Sequence, residues 1–176
     1  SLVSVVFEKE GRLTSIGDYA FSNCGSLTNI EIPYSVTSIG GAAFGGCSSL
    51  TNIEIPNGVV NIEHSTFSQC KNLVSIYLPS SVQYIGFGAF NGCVSLSNFI
   101  IDKNNENFTA ENGIIYDKQK TQILFVVYEK QEVVVPASVI FIGDAFSNNE
   151  VLKKISFEEE SQLANIDDKA FFGCSN

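Results

Sequence analysis

Positive charge is scarce in this sequence. Ten Lys and Arg stand against nineteen Asp and Glu, for a formal net charge of −9, and the basic residues are scattered along the chain. Nucleic-acid binding needs clustered Lys and Arg to neutralise phosphates, so a nucleic-acid partner is excluded. An anionic membrane surface is disfavoured for the same reason. Long apolar runs are missing too. The longest, Ile123 to Tyr128, is a strand's length and far short of the roughly 20 residues of a membrane span, so no direct membrane insertion is expected. No signal peptide heads the chain, which says little about compartment, because a piece of a longer protein would have lost one. There is a single histidine, His64, and no CxxC or HxxxH pair. Metal sites need such clusters, so neither a metal nor any other cofactor is expected.

What is present is an internal period, and a period decides the fold before any single residue does. Ile16, Ile39, Ile62 and Ile85 follow one another at steps of 23 residues, and so do Phe21, Phe44, Phe67 and Phe90. Cys24, Cys47, Cys70 and Cys93 keep the same step, as do Leu27, Leu50, Leu73 and Leu96; Pro33, Pro56 and Pro79 complete the frame. Within a unit the pair Ile30-x-Ile32 alternates with Asn29 and Glu31, the pattern of a half-buried strand. Pro33 then ends the ladder, because it lacks an N–H and fixes φ. Val36-x-x-Ile39 fits a second short extended stretch closed by Gly40. Ala43-Phe44-x-x-Cys47 fits a helical turn that tucks Phe and Cys inward. A loop of this length cannot bury its own apolar face, so neighbours must stack. The expected fold is a β-rich α/β solenoid of about seven rungs with a 23-residue period, forming a single domain over 1–176.

The segments LTNIEIPYSVTSIGGAAFGGC (27–47) and its copies at 50–70 and 73–93 resemble the BspA-like class of leucine-rich repeats, at nearly full length. The resemblance implies a right-handed leucine-rich-repeat stack. It also implies an extracellular or cell-surface protein of bacteria or protists, often an adhesin that contacts host or matrix proteins. The unit departs from the general leucine-rich consensus at the usual Asn or Cys ladder position, where Ser35, Gly58, Ser81 and Ser138 stand.

The period breaks between Ile101 and Val135, a step of 34 residues. In the extra material, 102–132, Gly113–Tyr116 and Gln122–Val126 flank the polar tract Asp117–Thr121, which reads as a β-hairpin. BspA-like proteins commonly carry an insertion of this form. It is either a rigid decoration that reshapes the stack or a docking element, since long insertions in repeats often line a binding face. In the unit after Val135, Asn149 takes the Cys place. The first and last units replace the Pro turn by the polar loops EKEGRLTS (8–15) and EEESQLAN (158–165). Solenoid ends need polar caps, and neither end shows one. The expectation is therefore a fragment of a longer protein, with self-association through exposed repeat ends possible.

Candidate chemistry is thin. The four cysteines share one repeat position and should form an inward ladder of free thiols, with disulfides between adjacent rungs as the alternative. His64 stands at a variable position held elsewhere by Asp18, Gly41 and Phe87, so it reads as a surface residue without a catalytic partner. Asp102-Lys-Asn104-Asn-Glu106 resembles the start of a calcium loop but lacks the glycine at its sixth place and the acid at its twelfth. Glu158-Glu159-Glu160 reads as a solvated loop, and Asn107-Phe108-Thr109 is the one glycosylation sequon. No nucleophile–base constellation is present, so no enzymatic activity is expected.

Binding has a stage. Residues between the core positions should line up across rungs on the concave sheet, and there Glu31 and Glu54 give way to Tyr77 and Ile100. Tyr34, Tyr84 and Phe87 are bulky where other units carry small or polar residues, and Tyr116 lies in the insertion. These eight are the candidate partner-binding residues, because exposed aromatics mark contact surfaces; stacking between rungs is the competing use. The function expected is a surface or secreted module that binds a protein or glycan partner through the concave sheet and the 102–132 insertion. The alternative is a structural spacer that presents a neighbouring domain.

Overall fold

Residues one period apart meet side by side in the folded chain. The computed structural model of the 176-residue protein describes residues 2–8 and 11–175, and the chain forms two compact units, Ser1–Glu106 and Asn107–Asn176. In the first unit each turn carries two short strands. They are β1 (Ser4–Val5) and β2 (Ser15–Ile16), β3 (Asn29–Ile30) and β4 (Ser38–Ile39), then β5 (Asn52–Glu54) and β6 (Asn61–Ile62). β7 (Ser75–Leu78), β8 (Tyr84–Ile85) and β9 (Asn98–Ile101) complete it. Pairing is parallel. Asn52 lies beside Ser75 and Ser75 beside Asn98, while Ser15 meets Ser38 and Asn61 meets Tyr84.

Two corners close each turn. At the first, the Val36, Val59 and Val82 N–H groups donate to the carbonyls of Pro33, Pro56 and Pro79 at 2.9, 3.0 and 3.2 Å, so proline fixes the start of a tight turn that carries a buried valine. The serines at the unusual ladder position tie adjacent turns together: Ser35 Oγ donates to the Leu13 carbonyl and Ser81 Oγ to that of Val59, both at 2.7 Å. The polar loop that takes the place of this corner in the first turn includes residues 9 and 10, which lie outside the described residues.

The second corner corrects the helical expectation. Among the described residues there is no helix, so each unit is a β-solenoid and the α/β label does not apply. Around Phe44 the N–H groups alternate in their partners. Ala43, Gly45 and Cys47 donate three residues back, to Gly40, Ala42 and Phe44, whereas Ala42, Phe44 and Gly46 donate to the next turn, at His64, Thr66 and Ser68. An α-helix would keep all of these bonds inside the segment. Left-handed residues enforce the alternation, with Ala42 at φ 50° and Gly46 at φ 76°. Ser65 and Gln69 repeat the pair at φ 55° and 60°.

Phe44, Phe67, Cys47, Cys70, Leu50 and Leu73 are fully buried. The phenylalanines stack along the unit, Phe21 to Phe44 at 5.4 Å between ring centroids, Phe44 to Phe67 at 5.7 Å and Phe67 to Phe90 at 5.9 Å. Phe99, at a strand position, meets Phe90 edge-on.

The second unit comprises β10 (Phe108–Glu111), β11 (Ile114–Asp117), β12 (Gln122–Val126), β13 (Glu132–Val135), β14 (Phe141–Ile142), β15 (Lys154–Phe157) and β16 (Asn165–Ile166). β10 and β11 pair antiparallel across Asn112 and Gly113, both left-handed at φ 51° and 73°, as a two-residue hairpin turn with matching twist requires. β11 also pairs antiparallel with β12. The Asp117 carboxylate orders the loop between them by accepting from the N–H groups of Thr121 and Gln122 at 2.7 and 2.8 Å. β12, β14 and β16 are parallel, and so are β13 and β15.

This places repeat structure inside 102–132. The Lys120 carbonyl accepts from Ser138 Oγ at 2.8 Å, as Val59 does from Ser81. Thr121 accepts from the N–H groups of Ile140 and Phe141, as Val60 does from Gln83 and Tyr84. On the other side, Asn105 stands one period after Val82 and is 1% exposed, its Nδ2 donating to the carbonyls of Pro79 and Val82 at 2.9 and 3.0 Å. The extra chain is thus 106–119, and the corner between β12 and β13 is shortened, with Val127 and Tyr128 buried in it.

Candidate partner-binding surface

The outward face of β5, β7 and β9 is set by register. Glu54 lies beside Tyr77 and Tyr77 beside Ile100; the intervening Ile53 and Ile76 point into the core. Glu31 holds the same repeat position one turn earlier and, like Glu54, is exposed. Alternation forces this division, because every second residue of a strand faces the same side. Ile100 is 47% exposed, and Tyr77 is half-buried.

Tyr77 is held in place. Its hydroxyl donates to Asp102 Oδ2 at 2.7 Å, and Asp102 Oδ1 accepts from the Asn104 N–H at 2.8 Å. The phenol stabilises the carboxylate, so the Asp102 carboxyl is held below its ordinary range, by the Tyr77 bond first and the Asn104 bond second. Tyr77 is raised above its ordinary value, first by the same bond, with lesser contributions from burial, from the Asp102 charge and from the Glu54 charge. Asp102 was not among the candidate residues. It stands one period after Pro79, and losing the proline restores an N–H that donates to the Leu78 carbonyl at 2.9 Å. That substitution was the available sequence signal.

The other candidates are not gathered on this face. Tyr34 is 82% exposed but sits in the Pro33 corner. Tyr84 belongs to the second-strand sheet, beside Asn61. Phe87 lies beyond it, in the row of Asp18, Gly41 and His64. In that row Asp18 Oδ1 accepts from the Gly41 N–H at 2.7 Å, and the exposed His64 ring lies over Gly41, where an added Cβ would come within 2.3 Å of it. Tyr116 is a correction: it is 4% exposed and packs in the core of the second unit with Ile114, Ile123 and Val135. The antiparallel β11 turns it inward, and burial, then the charges of Glu111 and Glu158, push its phenol up to about 12. Lys120 Nζ lies 5.8 Å from the centre of its ring and pairs with Glu111.

All five cysteines are free thiols. Cys47, Cys70 and Cys93 donate Sγ–H to the carbonyls of Phe21, Phe44 and Phe67 at 3.2, 3.2 and 3.0 Å. Among the described residues no group of three or more His, Cys, Asp or Glu converges to hold a metal ion, and no helix is long and apolar enough to cross a membrane.

Parallel short strands, proline corners, a phenylalanine column and a thiol ladder repeated every 23 residues define a leucine-rich-repeat β-solenoid with an outward sheet face. The chain belongs to the BspA-type leucine-rich repeat family, whose model matches residues 1–117 and 123–176 in six copies. Among solved structures it is similar to the pneumococcal vaccine antigen PcpA, with 28% identity and a TM-score of 0.82, over 96% of this chain and 42% of that one. It is also similar to a leucine-rich repeat protein from Eubacterium ventriosum, with 27% identity and a TM-score of 0.74, over 91% of this chain and 49% of that one. The chain spans less than half the length of either. No curated protein sequence matches it.

Proposed function

We propose that this chain is a cell-surface or secreted binding module, adhesin-like, that engages a protein partner through the outward face of β5, β7 and β9. The observation that carries this reading is the register of Glu54, Tyr77 and Ile100, which sets an aromatic and an aliphatic side chain on a solvent-facing sheet beside a carboxylate. A solvent-facing row that carries an aromatic and an aliphatic side chain suits a contact surface. Membership of the BspA-type family supports a surface location, as does similarity to a protein used as a vaccine antigen. The experiment is binding of the immobilised chain to host-cell surfaces and purified matrix proteins or glycans, comparing Tyr77→Ala and Ile100→Asp with Tyr34→Ala. Loss with the first two and retention with the third is expected; an interaction that survives both face variants would place the contact elsewhere.

A spacer role is the second reading. It is favoured by the regularity of residues 13–98, whose corner hydrogen bonds recur turn after turn. It predicts no partner for this chain and loss of function when turns are deleted from the intact protein.

A further inference from the structure

The face of β5, β7 and β9 has a chemistry that selects among protein partners. Glu31 and Glu54 repeat a carboxylate at one position in adjacent turns, where like charges repel. Tyr77 continues that row, with Asp102 fixed at its hydroxyl and Ile100 following in register. Among the described residues of the first unit the cations are Arg12, Lys71 and Lys103, and none stands in the outward row of β3, β5, β7 and β9. An aromatic ring with carboxylates on two sides suits a planar cation, which stacks on the ring and reaches a carboxylate with its fork of N–H groups. Rows in adjacent turns lie about 4.8 Å apart, so an extended segment running along the row brings a further basic residue to Glu31.

We propose that this face binds an extended, arginine-bearing segment of a protein partner, one guanidinium lying on Tyr77 between Glu54 and Asp102 and an aliphatic side chain of the partner resting on Ile100. The proposal rests on the reading of this face as the binding surface and names the chemistry of what it binds. A neutral glycan brings no charge to offset the carboxylates, and a polyanion would be repelled.

The test uses fluorescence anisotropy with a labelled peptide of alternating arginine and threonine, its citrulline counterpart and its lysine counterpart. The arginine peptide should bind, the lysine peptide more weakly, and the citrulline peptide not at all. Glu54→Gln and Tyr77→Ala should each weaken binding about tenfold. Tyr77→Phe keeps the ring but frees Asp102, and should weaken it less. Glu129→Gln and Glu159→Gln remove exposed carboxylates from the second unit and should leave binding unchanged, with thermal unfolding confirming that every variant is folded. Equal losses in these controls would reduce the effect to net charge and overturn the proposal, as would full binding by Tyr77→Ala. If a natural partner is lost with Ile100→Asp yet unaffected by Glu54→Gln, the surface stands and its cationic selectivity falls.

Discussion

At Gly46 two demands fall on one residue. Its φ of 76° is left-handed, and an added Cβ would come within 2.5 Å of Asn23 Oδ1 in the preceding turn. The same pairing of an amide side chain over a glycine recurs with Gln69 and Gly92 and with Asn148 and Gly173. Asn23, Gln69 and Asn148 are left-handed themselves, so the conformation alone does not demand glycine at this repeat position. What demands it is the neighbour, because two full side chains cannot share the space between successive turns. Gly46→Ala should therefore cost about 1–2 kcal/mol from backbone conformation, plus a steric part that depends on Asn23. The check is urea unfolding of Gly46→Ala, Asn23→Gly and the double variant. The double should be more stable than the sum of the single effects predicts; strict additivity would show that the amide moves aside freely.

The cysteine ladder acts as an element. Burial first, with the neighbouring Cys24 second, raises the Cys47 thiol to about 11 from an ordinary 9.0, and burial raises Cys93 to about 12. Cys70 is raised as well, by burial and then by its two neighbours in the ladder. These folded-state values lie above the unfolded ones, so the neutral thiol is favoured by folding. Its contribution is complete below pH 9 and is lost as pH rises towards 11 and 12. Tyr116, raised to about 12 from an ordinary 10.0, adds to the loss in the second unit. Stability to urea should thus be flat near neutrality and fall steeply above about pH 9. Cys47→Ala, Cys70→Ala and Cys93→Ala together should shallow that slope; an unchanged slope would mean that the thiols are solvated. The ladder was legible in the sequence because burial acts on each turn alike and leaves a period. The corner that carries it was not. Ala43, Phe44 and Cys47 have the spacing of a helical turn, and the alternative depends on N–H groups reaching carbonyls at His64, Thr66 and Ser68, which no local pattern reveals. Tyr116 was misplaced for a related reason: it lies in 106–119, where no second copy shows which side faces inward. The row from Glu31 to Ile100 followed from strand alternation, but the Tyr77–Asp102 bond joins residues 25 apart, two positions off the repeat.

Across the whole molecule, stability is the sum of turns and of the interfaces between them, so the same residue type should count differently from one turn to another. Phe67 is stacked on both sides, by Phe44 and Phe90, and is fully buried. Phe171 stacks on Phe146 at 5.3 Å but stays 37% exposed, and Ile166 in the same turn is 48% exposed where its counterparts Ile62 and Ile142 are fully buried. Truncating a buried phenylalanine costs about 3–5 kcal/mol through lost transfer energy and the cavity left behind. Phe67→Ala should show that full cost, whereas Phe171→Ala should cost about 1 kcal/mol, since its ring is already partly in water and leaves an open surface instead of a cavity. Hydrogen exchange should rank the turns in the same order. The amides of Phe44 and Phe67, which donate to Thr66 and Ala89 in the adjoining turns, should open only with the unit. Those of Asp167 and Ala170, in a turn with exposed apolar side chains, should open locally and exchange much faster. The measurement is native-state exchange read by mass spectrometry across rising urea. Equal protection in the two turns would show that each unit opens as a whole, and nearest-neighbour additivity would then fail for this solenoid.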